Sequence, residues 1–106
     1  MNSVKLIGTL VEKPKLFTSK DNIPYTRFLL SVERPAEARR LKSNAQKYDY
    51  LPCIAWNDRA LVVCGKCEKG DALCVIGRMQ CHIHMGKDKS KRYDVEVFVE
   101  KVTHSS

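Results

Sequence analysis

No run of apolar residues in this chain of 106 is long enough to cross a bilayer, which excludes a helical membrane protein. The opening Met1-Asn-Ser-Val-Lys5 lacks the charged region, apolar stretch and cleavage site of a signal peptide, so the expected location is the cytoplasm. There is no glycine loop to cradle a phosphate and no pair of carboxylates, so catalysis is not expected. Internal repeats and low-complexity stretches are missing too, and the length suits one domain with one core. Cysteine is not scarce, but its five copies are odd in number and fall mostly within apolar segments. They read as reduced core thiols rather than a disulfide framework.

Negative charge is the scarcer sign: 12 acidic side chains stand against 19 basic ones, a net charge of +7. Its placement matters more than its size. The segments 12–22, 36–47 and 85–92 read as loops, and they hold eleven of the bases but only four of the acids. The bases are Lys13, Lys15 and Lys20 in the first, Arg39, Arg40, Lys42 and Lys47 in the second, and Lys87, Lys89, Lys91 and Arg92 in the third. The rest of the chain is neutral. Three basic loops form an electrostatic footprint for a polyanion. No basic amphipathic helix or lipidation signal accompanies them, so nucleic acid is favoured over a membrane surface.

Val4 to Leu10 is β-branched and apolar and stops before Glu12-Lys13-Pro14, a first strand and its turn. Tyr25 to Val32 alternates, with Phe28, Leu30 and Val32 inward and Arg27, Leu29 and Ser31 outward. Ile23-Pro24 stands at its entry, where a missing N–H does little harm. Residues 36–47 fit either a loop or a short helical turn. Tyr48 to Trp56 is the third strand. Between Asn57 and Glu68 helical spacing takes over through Ala60, Leu61, Val63, Cys64 and Cys67, with Asn57 or Asp58 as cap and Gly70 as stop. Leu73 to Met85 is a long strand with Met79, Cys81, Ile83 and Met85 on one face and Arg78, Gln80, His82 and His84 on the other. A basic tip then leads into a last strand, Tyr93 to Val102. Five strands with a helix between the third and fourth predict an all-β OB-fold barrel over 1–103, with a short tail at 104–106.

The third strand carries the sharpest functional signal. Leu51, Cys53 and Ala55 turn toward the core, while Tyr50, Ile54 and Trp56 turn away from it. Rings on the open face of a sheet in a basic protein suggest a platform for stacking bases. Cover by another subunit or a helix is the competing explanation, and the charge pattern favours the platform.

Two other constellations compete with it. Cys64-Gly-Lys-Cys67 with Cys81-His82 has the residue types of a tetrahedral zinc site. Yet Cys64 and Cys67 share the buried face of a helix, and Cys81 points in from a strand while His82 points out. The four do not converge, so no metal and no other cofactor is expected. A redox Cys-x-x-Cys lacks its βαβ setting. His82 and His84 with Asp94 or Glu96 have the groups for acid–base work. They share a face with Arg78 and Gln80, which describes a binding strip better than a catalytic pocket.

Asn2-Ser-Val-Lys-Leu-Ile-Gly8, Phe28-Leu-Leu-Ser-Val32 with Glu33-Arg34-Pro35, and Tyr50-x-x-Cys53-x-x-Trp56 with Ala60 resemble the bacterial single-stranded DNA-binding proteins. Lys69-Gly70-Asp71, Gly77-Arg78 and Arg92-Tyr93-x-x-Glu96-Val97 extend the resemblance in order along nearly the whole chain. It implies an OB fold, assembly into dimers or tetramers, and single-stranded DNA wrapped over aromatic residues and basic loops. The family's stacking positions fall on Tyr50, Trp56 and His84, the last a departure from a larger aromatic; a further one, near Ala36, is lost. Phosphate contacts are then expected from Arg27, Arg34, Arg78 and His82, and from Arg39, Arg40, Lys42, Lys87, Lys89, Lys91 and Arg92. Family members recruit other replication proteins through an acidic tip, and the chain ends at Ser106 without one. Ile23-Pro24-x-x-x-Phe28, Pro52-Cys-Ile54 and Gly77-x-x-x-Cys81-His82 raise a second resemblance, to primosomal replication protein N. That likeness implies a tail-less dimer of the same fold that serves replication restart.

Overall fold

A computed structural model describes residues 1–105 and gives six strands and two helices. Strand β1 spans Val4–Leu10, β2 Phe17–Thr18, β3 Pro24–Glu33, β4 Tyr48–Trp56, β5 Ala72–Met85 and β6 Lys91–His104. Helix α1, Ala36–Arg39, is a single turn between β3 and β4, and α2, Asp58–Lys66, lies between β4 and β5. The sheet runs β1-β5-β6-β4-β3-β2, and a further β1–β3 pairing closes five of the strands into a ring. The OB barrel expected from the order of elements is the observed fold. The added strand β2 is two residues long and pairs only with the start of β3, Phe17 with Tyr25 and Thr18 with Pro24.

The core follows the alternation. Leu10, Phe28, Leu30, Cys53, Ala55, Leu73, Val75, Val97 and Val99 face inward and are buried. Ala60 and Val63 of α2 close one end, packing against β3, β4 and β6. Deleting a side chain such as Leu30, wholly out of solvent, costs about 2–5 kcal/mol in such a setting. Two glycines make the closure possible. A Cβ at Gly8 would collide with the Ser31 carbonyl where β1 crosses from β5 to β3. One at Gly77 would collide with the Phe98 carbonyl beside the register shift between Ile76 and Gly77. Only a bare Cα fits at either corner.

Several details depart from the sequence-based expectation. Ile54 does lie on the face away from the core, but it is 1% exposed, between its cross-strand partners Arg27 and Phe98. Cys81 is exposed rather than inward, because the β5–β6 hairpin outruns the barrel and carries Cys81, Ile83 and Met85 into solvent. Helix α2 ends at Lys66, so Cys67 is extended backbone, and Gly70 (φ +90°) serves the following turn instead of the helix end. Asn57 precedes α2 at φ +57° without a side-chain capping bond. Finally, β6 continues to His104, whose ring meets Asp71 at 3.0 Å.

Candidate nucleic-acid interface

The outward face of β3 and β4 is set by their register: Tyr25 lies opposite Trp56, Arg27 opposite Ile54, Leu29 opposite Pro52 and Ser31 opposite Tyr50. Phe17 on β2 extends the first of these rows. Its ring centroid is 5.8 Å from that of Tyr25, which is 5.0 Å from that of Trp56, with interplanar angles of 30° and 32°. Three rings thus cross three strands. Tyr50 stands farther along β4 and is 56% exposed.

Cations lie across the same face. The Arg27 guanidinium is 5.7 Å from the Tyr25 ring centre, and that of Arg78 is 4.6 Å from the Phe98 ring centre. Each is held against an aromatic face by its charge and by apolar contact. On the hairpin, His82 Nε2 donates to Glu96 Oε1 at 2.6 Å, and His84 pairs with Asp94 at 3.1 Å. Glu96 also accepts from Gln80 (3.0 Å) and lies 3.5 Å from Arg27 Nε. Burial by itself would push the Glu96 carboxyl up. The Gln80 and His82 hydrogen bonds and the charges of Arg27 and His82 outweigh it, so the group lies below the usual carboxylate range.

The structure gathers Arg27, Tyr50, Trp56, Arg78, His82, His84 and Arg92 on one outward surface of β3 to β6. Lys87 and Lys89 occupy the hairpin tip, with Lys91 at the start of β6. Arg34 goes elsewhere: it is bound to Asp49 at 2.8 Å, on the strand parity of Leu51 and Cys53 rather than Tyr50. Arg39 is half-buried beside Glu33 at 3.8 Å, while Arg40 and Lys42 are exposed around α1. Cys64, Cys67, Cys81 and His82 do not come together, and no group of three metal-capable side chains exists among the described residues. Burial pushes the Cys53 thiol up to about 12, with help from the Glu96 charge. Tyr25, Phe17 and Phe98 join the face without having been singled out by the sequence, and Glu96, weighed there only for acid–base work, joins it as an ion-pair partner. Tyr25 shares the parity of Arg27 and Leu29, which is signal enough; Phe17 is hidden in a segment with the composition of a basic loop.

A five-strand barrel with one capping helix, bearing a face of rings and cations, defines an OB-fold protein. Comparison with known families agrees: residues 1–105 match the model of the single-strand binding protein family. Single-stranded DNA-binding protein 3 of Clostridium acetobutylicum is 34% identical over 103 residues, which is 96% of this chain and 69% of the relative. A single-stranded DNA-binding protein of Clostridium tetani is 33% identical over 103 residues, 96% and 68% of the two chains. The chain belongs to the single-strand binding protein family.

Proposed function

We propose that this protein binds single-stranded DNA with little regard to sequence, serving replication, repair or recombination in the cytoplasm. The observation that carries the reading is the ladder Phe17–Tyr25–Trp56 beside Arg27 and Arg78 on an open sheet face. Rings offer a surface that every base can stack on, and the cations neutralise the backbone that joins the bases. Lys87, Lys89, Lys91 and Arg92 extend the positive field along the hairpin, and Arg40 and Lys42 extend it around α1. No catalytic step is assigned, because His82 and His84 are each engaged by a carboxylate on an open face.

Assembly into a dimer or tetramer belongs to the same proposal, with replication proteins as further partners. Exposed Ile7 on β1 and exposed Ile83, Met85, Tyr93 and Val95 on the hairpin support it, since each is apolar surface without cover in one chain. Two measurements test the proposal. Sedimentation alone and with oligo-dT of several lengths reads assembly and site size together. Binding to single strands should exceed binding to duplex and weaken steeply with salt. Replacing Lys87, Lys89 and Lys91 should flatten that slope by up to about 0.7 for each phosphate no longer neutralised. A salt-independent affinity refutes the reading.

A further inference from the structure

We propose that the cleft between β4 and β6 takes one nucleobase and favours a base with an exocyclic amino group, Asp94 and Glu96 being its acceptors. The proposal rests on the single-strand reading and adds a bias at one position to a face that otherwise stacks any base.

The cleft has a simple cause. Strands β4 and β6 pair in parallel only at Cys53–Val97 and Ile54–Phe98, and on the N-terminal side of these pairs they part. The opening is a cavity of about 450 Å³ lined by Pro52, His82, Tyr93, Asp94, Val95 and Glu96. Pro52 lies between Tyr50 and Trp56 on the outward parity of β4, so a strand following those rings passes the mouth of the cavity.

Its chemistry opposes that of its surroundings. Arg27, Arg78 and Arg92 suit phosphates, whereas two carboxylates repel them. What enters beside a carboxylate is a group that donates. Glu96 Oε1 already accepts from Gln80 and His82, but Oε2 has only Arg27 Nε at 3.5 Å. Asp94 Oδ2 meets His84 at 3.1 Å and Arg92 at 3.2 Å, while Oδ1 has no partner among the described residues. Each acid therefore keeps accepting capacity. Cytosine and adenine present amino donors where thymine and uracil present a carbonyl oxygen, and a carboxylate accepting from cytosine N4 is a recurrent pairing. Pro52 supplies an apolar wall on the outward face, while Tyr93 and Val95, of the opposite strand parity, border the opening from the other face of β6. Ion pairing alone accounts for the burial of Glu96, but not for an opening beside it that a second acid also lines.

The test compares oligo-dC with oligo-dU of equal length, whose rings differ only in the groups at positions 3 and 4. Wild-type protein should bind oligo-dC roughly tenfold or more tightly, the scale of a hydrogen bond to a charged group. Asp94→Ala and Glu96→Gln should each bring that ratio toward one, whatever the altered charge does to absolute affinity. Thermal melts establish that each variant is folded; should Glu96→Gln unfold, the half-exposed Asp94 decides alone. Equal affinity of the wild type for both oligomers, or an unchanged ratio in Asp94→Ala, overturns the cleft and leaves single-strand binding standing. Failure to bind either oligomer at low salt overturns both.

Discussion

Replacing Trp56 by alanine separates what the ring ladder does for the fold from what it does for binding. The indole is half-buried, and its centroid lies 5.0 Å from that of Tyr25. Losing that pair should cost about 0.5–1.5 kcal/mol of stability beyond the lost apolar area. Losing a stacking surface for a base should cost about 1–3 kcal/mol of binding, roughly 5- to 150-fold in Kd. Tyr50→Ala is the control, because Tyr50 is 56% exposed and has no ring partner among the described residues. It should lose binding on the same scale with little change in melting. Trp56 is the single tryptophan, so its emission in the wild type should be quenched as oligo-dT saturates. Variants are then compared by anisotropy of a labelled oligomer and by urea melts. Emission unmoved by saturating DNA, together with a Trp56→Ala protein that melts early yet binds normally, refutes the assignment. The indole would then be a structural ring under a neighbouring subunit.

Gly77→Ala should abolish folding or lower the melting temperature sharply, because the new methyl meets the Phe98 backbone beside the register shift of β5 and β6. Glu96 has its pKa lowered in the fold, below an unfolded value of about 4.3, so its contribution is present at neutral pH and lost as pH falls through the folded value. Glu96→Gln should accordingly flatten the acid limb of stability, read as urea midpoints against pH. A thiol reagent at mildly alkaline pH should modify exposed Cys81 rapidly and leave Cys53 untouched until unfolding, with Cys81→Ser removing the fast phase. Rapid labelling of Cys53 in the native protein refutes its burial.

Strand existence is legible because a sheet closed around one core imposes period two on nearly every strand. Val4–Leu10, read from its β-branched apolar run and the turn after it, and Tyr48–Trp56, read from its alternation, have the observed bounds. Periodicity reports a face, however, and not what covers it. Ile54 and Trp56 share a parity, yet one is sealed between Arg27 and Phe98 while the other stays half open. Cys81 has the parity of core residue Val97, but the alternation carries on past the rim where there is no core left. The site is legible on β4, where rings stand out against a basic chain. It is illegible where it depends on neighbours brought in by register: Phe17 from a short strand, Phe98 under Arg78, and Glu96 among Gln80, His82 and Arg27. Arg34 and Arg39 show the same limit, since counting charge does not reveal that Asp49 and Glu33 already engage them.

Beyond the two-pair seam with β4, the outer part of the hairpin pairs only with itself among the described residues. Its arms continue from Cys53–Val97 to a tip at residues 86–90, about 25 Å away at the rise of an extended chain. The ring ladder on β2, β3 and β4 lies on the other side of that seam. The surface thus has two parts, a ring ladder seated on the closed barrel and a basic arm that reaches past its rim.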